Sequence, residues 1–98
     1  AGMVKSLSNR FMTNLSKKNY SGAYALTRSG EWTTYQKFSS SDEIKALDQA
    51  TVHDAKVLDA DEKVALVEVS ANLKDQSSKT FHVTLEKINN KWFVVNFK

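Results

Sequence analysis

Few residues in this chain have side chains that do chemistry, and their spacing gives little support to catalysis. An isomerase-like site needs a carboxylate base, together with a Tyr hydroxyl and a protonated carboxylic acid, in an apolar pocket. Asp54, with Tyr24 or Tyr35, supplies the only suitable parts. The inward positions that would hold a second acid carry apolar residues, so Asp54 is better explained as a solvent-facing strand residue. We therefore predict that the chain is not an enzyme.

Metal binding has equally weak support in the sequence. His53 and His82 fall on different predicted strands, and no third ligand is spaced to complete a zinc site with them. Residues 59–62, Asp-Ala-Asp-Glu, resemble part of a calcium loop but lack the Gly and the distal Glu of an EF-hand. The chain has no Cys and no glycine-rich phosphate loop. The sequence predicts no metal and no cofactor.

The first half of the chain is predicted to be helical. Residues 4–15 carry a helical apolar stripe, at Val4, Leu7, Phe11, Met12 and Leu15. We expect this helix to end near residues 17–19, with Asn in a left-handed cap. Residues 19–26 and 31–38 predict two short helices, and a last helical turn is expected to begin at residue 41 or 42.

The second half predicts four consecutive strands, over residues 51–58, 63–74, 79–88 and 91–97. The second and third strands alternate apolar and polar residues, and Asn89-Asn90 suits a two-residue hairpin turn. The last strand is apolar on both faces, as expected for a strand at an interface. The predicted fold is a single α+β domain over residues 1–98, with one long and two short helices packed on a curved, antiparallel four-stranded sheet.

Two stretches resemble a known superfamily. The first is residues 11–26, in which a helix and a basic turn precede Tyr20-Ser21-Gly22-Ala23-Tyr24-Ala25-Leu26. The second is Asn89-Asn90-Lys91-Trp92-Phe93-Val94. Both are similar to nuclear-transport-factor-like domains of the cystatin-like superfamily, in which a cone-shaped sheet wraps round the first helix. The short length and lysine content bring the chain closest to bacterial envelope accessory domains and to periplasmic domains of type IV secretion and conjugation assembly proteins.

The charge of the chain is unevenly distributed. The net charge is +3, but residues 1–30 contain five bases and no acid, whereas residues 42–75 contain nine acids and four bases. The basic residues of the first helix and its end predict a face towards an anionic surface: Lys5, Arg10, Lys17 and Lys18. The acidic first hairpin makes nucleic acid an unfavoured partner. No apolar run is long enough to span a membrane, so any anchor is expected outside this sequence.

Two hypotheses for function follow. The first is a non-catalytic, extracytoplasmic interaction or scaffold domain of a membrane-anchored bacterial envelope protein, binding a protein or a second copy of itself. Its expected contact residues lie on the last strand: Trp92, Phe93, Val95 and Phe97. The alternative is a binder of small apolar ligands, or a degenerate isomerase-like domain, with an aromatic pocket formed by Tyr24, Trp32, Tyr35 and Trp92. The envelope location comes from the resemblance, because a chain without Cys occurs in any compartment, the cytoplasm included.

Overall fold

The computed structural model describes residues 2–28, 30 and 32–98. Four helices precede four strands: α1 Gly2–Ser16, α2 Tyr20–Tyr24, α3 Tyr35–Ser39, α4 Asp42–Lys45, β1 Thr51–Ala60, β2 Val64–Asn72, β3 Ser78–Ile88 and β4 Lys91–Phe97. The strands form one antiparallel sheet in the order β1-β2-β3-β4. The predicted α+β class, with an N-terminal helix on a curved four-stranded antiparallel sheet, is confirmed.

Helix α1 buries the predicted apolar stripe against the sheet. Phe11, Met12 and Leu15 are fully buried, and the helix packs mainly on β1 and α2, and less extensively on β2. Ser8 is the one buried polar residue on this face, and its hydroxyl donates to the carbonyl oxygen of Val4 at 2.8 Å. This bond satisfies the hydroxyl, so the polar side chain does not weaken the core.

The end of α1 differs from the prediction in one residue. Lys18, with φ of 61°, takes the left-handed conformation expected of Asn19. Asn19 instead caps α2, because its side-chain oxygen accepts from the Gly22 amide at 3.2 Å. A Cβ on Gly22 would lie 2.6 Å from Nδ2 of Asn19, so any other residue at this position would displace the capping side chain.

The third predicted helix is shorter than expected. Helix α3 begins at Tyr35, because the Thr34 hydroxyl caps it by accepting from the Lys37 amide at 3.2 Å. Glu31, where the helix was predicted to begin, lies outside the described residues. The expected last turn is present as α4, with Ser41 at its N-cap position and Ile44 buried.

Three bulges in the sheet change which side chains face the helices. Register shifts occur in β1 between Val52 and Ala55 and between Val57 and Asp59, and in β4 opposite Thr84 and Leu85. In each case one extra residue is inserted in the strand, and it is Leu58 in the second bulge and Val95 in the third. The inward face is otherwise regular, and its buried residues are Ala55, Ala65, Val67, Val69, Ala71, Phe81, Val83, Leu85, Val94 and Phe97.

A segment between α2 and α3 covers part of the outer edge of β4. The Val94 amide donates to the Leu26 carbonyl at 2.8 Å, and the Arg28 amide donates to the Val94 carbonyl at 3.0 Å. Thr27 and Val94 thus form a parallel bridge. The sequence did not predict this pairing, and it occupies an edge that would otherwise be open to another strand.

Aromatic rings fill the concave interior of the sheet. Phe11 of α1 lies 5.6 Å from Phe97, 6.1 Å from Phe38 and 6.3 Å from Trp32 between ring centroids. Phe81 and Phe97 stack at 5.1 Å with an interplanar angle of 10°. Because these rings are all buried, the inside of the cone is a packed core.

Candidate functional site

The predicted aromatic pocket divides into two separate places. Tyr24 lies 5.8 Å from Tyr35 and 5.3 Å from Phe38, while Trp32 lies 5.3 Å from Phe38. The Tyr24 hydroxyl also donates to the Trp32 carbonyl at 3.2 Å. Trp32 is only 5% exposed. These rings pack against one another, so they tie α2 and α3 to the core.

Trp92 lines a different part of the surface. It contributes to two surface grooves at the start of β4, and neither Tyr24, Trp32 nor Tyr35 lines them. In these two grooves of the described part of the chain, Trp92 is therefore not accompanied by the other three residues that were expected to wall one pocket. The pocket was predicted because aromatic residues recur at helical spacing. In the structure, the rings of Tyr24, Trp32 and Tyr35 pack α2 and α3 against the core.

The predicted contact residues of β4 do not share one face. Phe97 is fully buried and stacks on Phe81, which corrects its assignment as a contact residue. The extra residue in the bulge places both Val94 and Phe97 on the inner face although they are three positions apart. Phe93 and Val95 lie on the outer face of the sheet and are half-buried. Trp92 lies on the inner face and is also half-buried.

Apolar residues of three strands lie on the outer face of the sheet, which no described helix covers, and polar residues of β3 separate those of β2 from those of β4. The register brings Val64 opposite Glu86, and Glu86 opposite Phe93. Leu58 and Val64 are 42% and 44% exposed. We call this set the outer patch; its members are Leu58, Val64, Leu66, Phe93 and Val95. Because Leu58 and Leu66 fall on strands predicted mainly from their inward residues, the sequence alone did not single them out.

The Arg28 side chain lies at the border of the outer patch. Its guanidinium carbon is 4.9 Å from the centroid of the Phe93 ring. A cation over an aromatic face is attracted by the ring quadrupole, so Arg28 orients the ring. This contact gives Arg28 a position that the basic residues of α1 do not share.

A second surface feature is an open groove of about 600 Å³ between the N-terminal part of α1, the end of α2 and the start of β4. Its apolar walls include Met3, Leu7, Leu26 and Trp92, and its cationic residues are Arg10 and Lys91. We call it the α1–β4 groove. No Asp or Glu of the described residues lines it.

Of the four residues of the predicted basic face, Lys5 and Arg10 lie on α1, whereas Lys17 and Lys18 follow its end. Lys5, Arg10 and Lys17 are exposed, whereas Lys18 makes an ion pair with Asp48 at 3.6 Å. This exposed pair contributes about 0–1 kcal/mol to stability. Arg10 also borders the α1–β4 groove, so it has a different neighbourhood from Lys5 and Lys17.

The carboxylate considered for catalysis and the two histidines considered for metal binding lie on the surface. Asp54, His53 and His82 are all exposed. Among residues 2–28, 30 and 32–98, no three His, Cys, Asp or Glu side chains are grouped to hold a metal ion. None of the helices described there is both long and apolar enough to cross a bilayer.

The acidic turn at residues 59–62 is stabilised by hydrogen bonds from backbone amides to the carboxylate of Asp61. One oxygen of Asp61 accepts from the amides of Lys63 and Val64, at 2.7 Å and 2.9 Å. These two bonds lower the pKa of the Asp61 carboxyl below its ordinary value of 3.8. In the next turn, the hydroxyl and the amide of Ser77 lower the pKa of Asp75 in the same way. Both carboxylates thus stabilise hairpin turns.

Comparison with known proteins identifies a relative at the level of fold. A structure from Xanthomonas campestris, described as a calcium/calmodulin-dependent protein kinase II association domain, superposes with a TM-score of 0.58 at 12% sequence identity. The match covers 97% of this chain and 82% of that one. No protein-family description and no curated protein sequence matches the chain. The likeness shows a shared α+β fold, of the kind expected from the resemblance to nuclear-transport-factor-like domains.

Proposed function

We propose that this chain is a non-catalytic interaction domain that associates with a second copy of itself through the outer patch. The observation that supports the proposal is that Leu58, Val64, Leu66, Phe93 and Val95 share a sheet face that carries no helix among the described residues. Apolar side chains that are accessible on one face are typical of protein contact sites. The neighbouring Glu68, Glu86, Lys56 and Lys91 carry both signs of charge, which suits a self-complementary rim.

The outer face is large enough for this role. Four strands spaced about 4.8 Å apart, each about nine residues long at ~3.3 Å per residue, cover roughly 20 by 30 Å. The projected area is therefore about 600 Å², and the accessible area of a corrugated face is larger. A standard interface buries about 800 Å² per partner. Two such faces packed together fall in the range of specific complexes.

Sedimentation velocity on the wild-type protein and a Val64→Lys variant tests the proposal. Val64 is exposed and lies opposite Glu86, so the new Lys gains a cross-strand partner and the fold is retained. We expect a concentration-dependent dimer for the wild type and a monomer for Val64→Lys at concentrations up to about 100 μM. Gln36→Lys, which adds the same charge on exposed α3, should dimerise like the wild type. A wild type that stays monomeric over this range contradicts the proposal.

The resemblance to envelope domains motivates a more specific form of the proposal. In it, the domain lies outside the cytoplasmic membrane on an upstream anchor, as part of a conjugation or type IV secretion assembly. The full-length reading frame and its gene neighbourhood test this form. A transmembrane segment directly upstream and flanking transfer genes are expected, and fractionation of the intact protein into the cytosol would contradict the location.

A second candidate function is the binding of small apolar ligands, and the α1–β4 groove is the observation that favours it. Its volume of about 600 Å³ lies within the ~300–1,000 Å³ range of ligand pockets. The site proposed is this groove and not the Tyr24–Trp32–Tyr35 cluster, whose rings pack against one another. Thermal-shift assays with apolar and steroid-like ligands test it; a midpoint that no ligand raises counts against it.

A further inference from the structure

The α1–β4 groove combines apolar walls with positive charge. Leu7, Leu26 and Trp92 are half-buried in its walls, and Met3 is 68% exposed at one end. Arg10 comes from α1 and Lys91 from the start of β4, so the two cations approach the groove from different elements. Both side chains are exposed, and no carboxylate lines the described groove to neutralise them.

The groove is distinct from the inside of the cone. The concave side of the sheet is filled by Phe11, Phe38, Phe81 and Phe97, all of which are fully buried. The groove instead lies outside this core, at the side of α1 that meets the end of α2. A ligand there would not need to displace any core side chain.

The main chain of β4 adds a further polar group at this place. In the β3–β4 hairpin, the Val94 amide and carbonyl point away from β3, because they bond to Leu26 and Arg28. Trp92 is two residues earlier on the same strand, so its amide and carbonyl point to the same side. Residues 26–28 pair with Val94 and not with Trp92, so the edge of the strand at Trp92 faces the groove. The Trp92 amide is thus placed to donate to an acceptor bound beside Lys91.

We propose that the α1–β4 groove binds a single-chain amphipathic anion, such as a fatty carboxylate. The alkyl chain lies along Leu7, Leu26 and Trp92, and the carboxylate is bound by Arg10 and Lys91. Residues 3–10 of α1 extend over about 10 Å, and a zigzag chain with ~1.5 Å bonds spans this distance with about eight methylenes. This inference rests on the second candidate function, ligand binding in the groove, and specifies its ligand class.

The test is a titration with dodecanoate below its micelle concentration, followed by calorimetry and by Trp fluorescence. Trp92 is half-buried in the groove and reports on binding, whereas Trp32 is 5% exposed in the core. We expect one site per chain. Dodecanoate should bind at least tenfold more tightly than dodecyl maltoside or dodecyltrimethylammonium. Lengthening the chain from octanoate should strengthen binding about two- to fourfold per methylene.

Two variants locate the site. Arg10→Gln with Lys91→Gln should weaken dodecanoate binding about tenfold, because each charge-assisted contact is partly exposed. Lys5→Gln is the matched control: Lys5 is exposed on the same helix but does not line the groove, so affinity should stay within about twofold of the wild type. Equal weakening by the control would overturn the assignment of the site.

The remaining outcomes distinguish a failure of this inference from a failure of the candidate function on which it rests, ligand binding in the groove. If dodecyl maltoside binds as tightly as dodecanoate, ligand binding in the groove stands and the selection for an anion is wrong. If no amphiphile binds, the inference is wrong, and the candidate function is wrong as well if the apolar and steroid-like ligands of the thermal-shift assay also fail to bind. If dodecanoate binds only when it is presented in phosphatidylcholine vesicles, the groove recognises a membrane surface and the inference is overturned.

Discussion

Carboxylates at two turns, Asp61 and Asp75, contribute to how this protein responds to acid. The Asp61 carboxylate accepts two backbone amides, and these bonds hold its pKa below the ordinary value of 3.8. A group whose pKa is lowered by folding stabilises the folded state above its unfolded pKa. That contribution is lost as the pH falls through the lower, folded value. Asp61 therefore favours folding at neutral pH and ceases to do so in strong acid.

Asp61→Asn isolates this effect, because the amide keeps an acceptor oxygen but removes the charge. We expect the wild type to be more stable than Asp61→Asn from pH 7 down to about pH 4, and the difference to shrink below that pH. Urea unfolding followed by circular dichroism across this range measures it. Glu62→Gln, in the same turn, is the control for general loss of charge. A wild-type advantage that is the same at pH 2 and pH 7 would show that the charge is not responsible.

At the scale of secondary structure, the β3–β4 hairpin depends on two residues in the left-handed conformation. Asn89 and Asn90 have φ values of 51° and 65°, as a type I′ turn requires. We expect Asn90→Gly to leave the free energy of unfolding unchanged or to raise it by up to about 1 kcal/mol. Asn90→Val should lower it by about 1–2 kcal/mol, because a β-branched side chain clashes in this conformation. Urea unfolding at neutral pH measures both.

Introducing Val at a position with extended backbone controls for the effect of the Val side chain itself on stability. Thr80→Val lies at an exposed position in β3, where an extended backbone suits Val, so its effect should be within about 0.5 kcal/mol. Equal destabilisation by Asn90→Val and Thr80→Val would mean that the turn conformation is not the cause. This hairpin was predicted from the sequence, because Asn-Asn between two apolar runs is a local signal.

The features that the sequence could not predict depend on contacts between residues that are far apart in the chain. The alternation in residues 63–74 and 79–88 was enough to predict two strands and their inward faces. It could not place the bulge at Val95, which depends on the pairing with β3, and so Phe97 was expected at a contact surface and is in fact buried. The bridge between Thr27 and Val94 joins residues far apart in the chain and has no local signal. The outer patch and the α1–β4 groove both depend on such contacts.

At the scale of the whole molecule, the interior is packed, so we expect binding sites on the surface. Rings from α1, α3, β3 and β4 fill the concave side of the sheet, so a buried site for chemistry would require side chains to leave the core. The outer patch and the α1–β4 groove meet at Phe93, which belongs to the first and also lines the second. Association through the outer patch and ligand binding in the groove are therefore expected to affect each other.

Self-association through the outer patch predicts a concentration-dependent melting temperature. A partner that binds only the folded chain stabilises it by mass action, and a dimer gains about 0.7 kcal/mol per chain for each tenfold rise in concentration above its Kd. For a domain of about 100 residues this corresponds to a Tm increase of roughly 3–5 °C. Differential scanning calorimetry at two concentrations measures it. Val64→Lys should melt at the same temperature at both concentrations, and a slope equal to that of the wild type would mean that association does not use the outer patch.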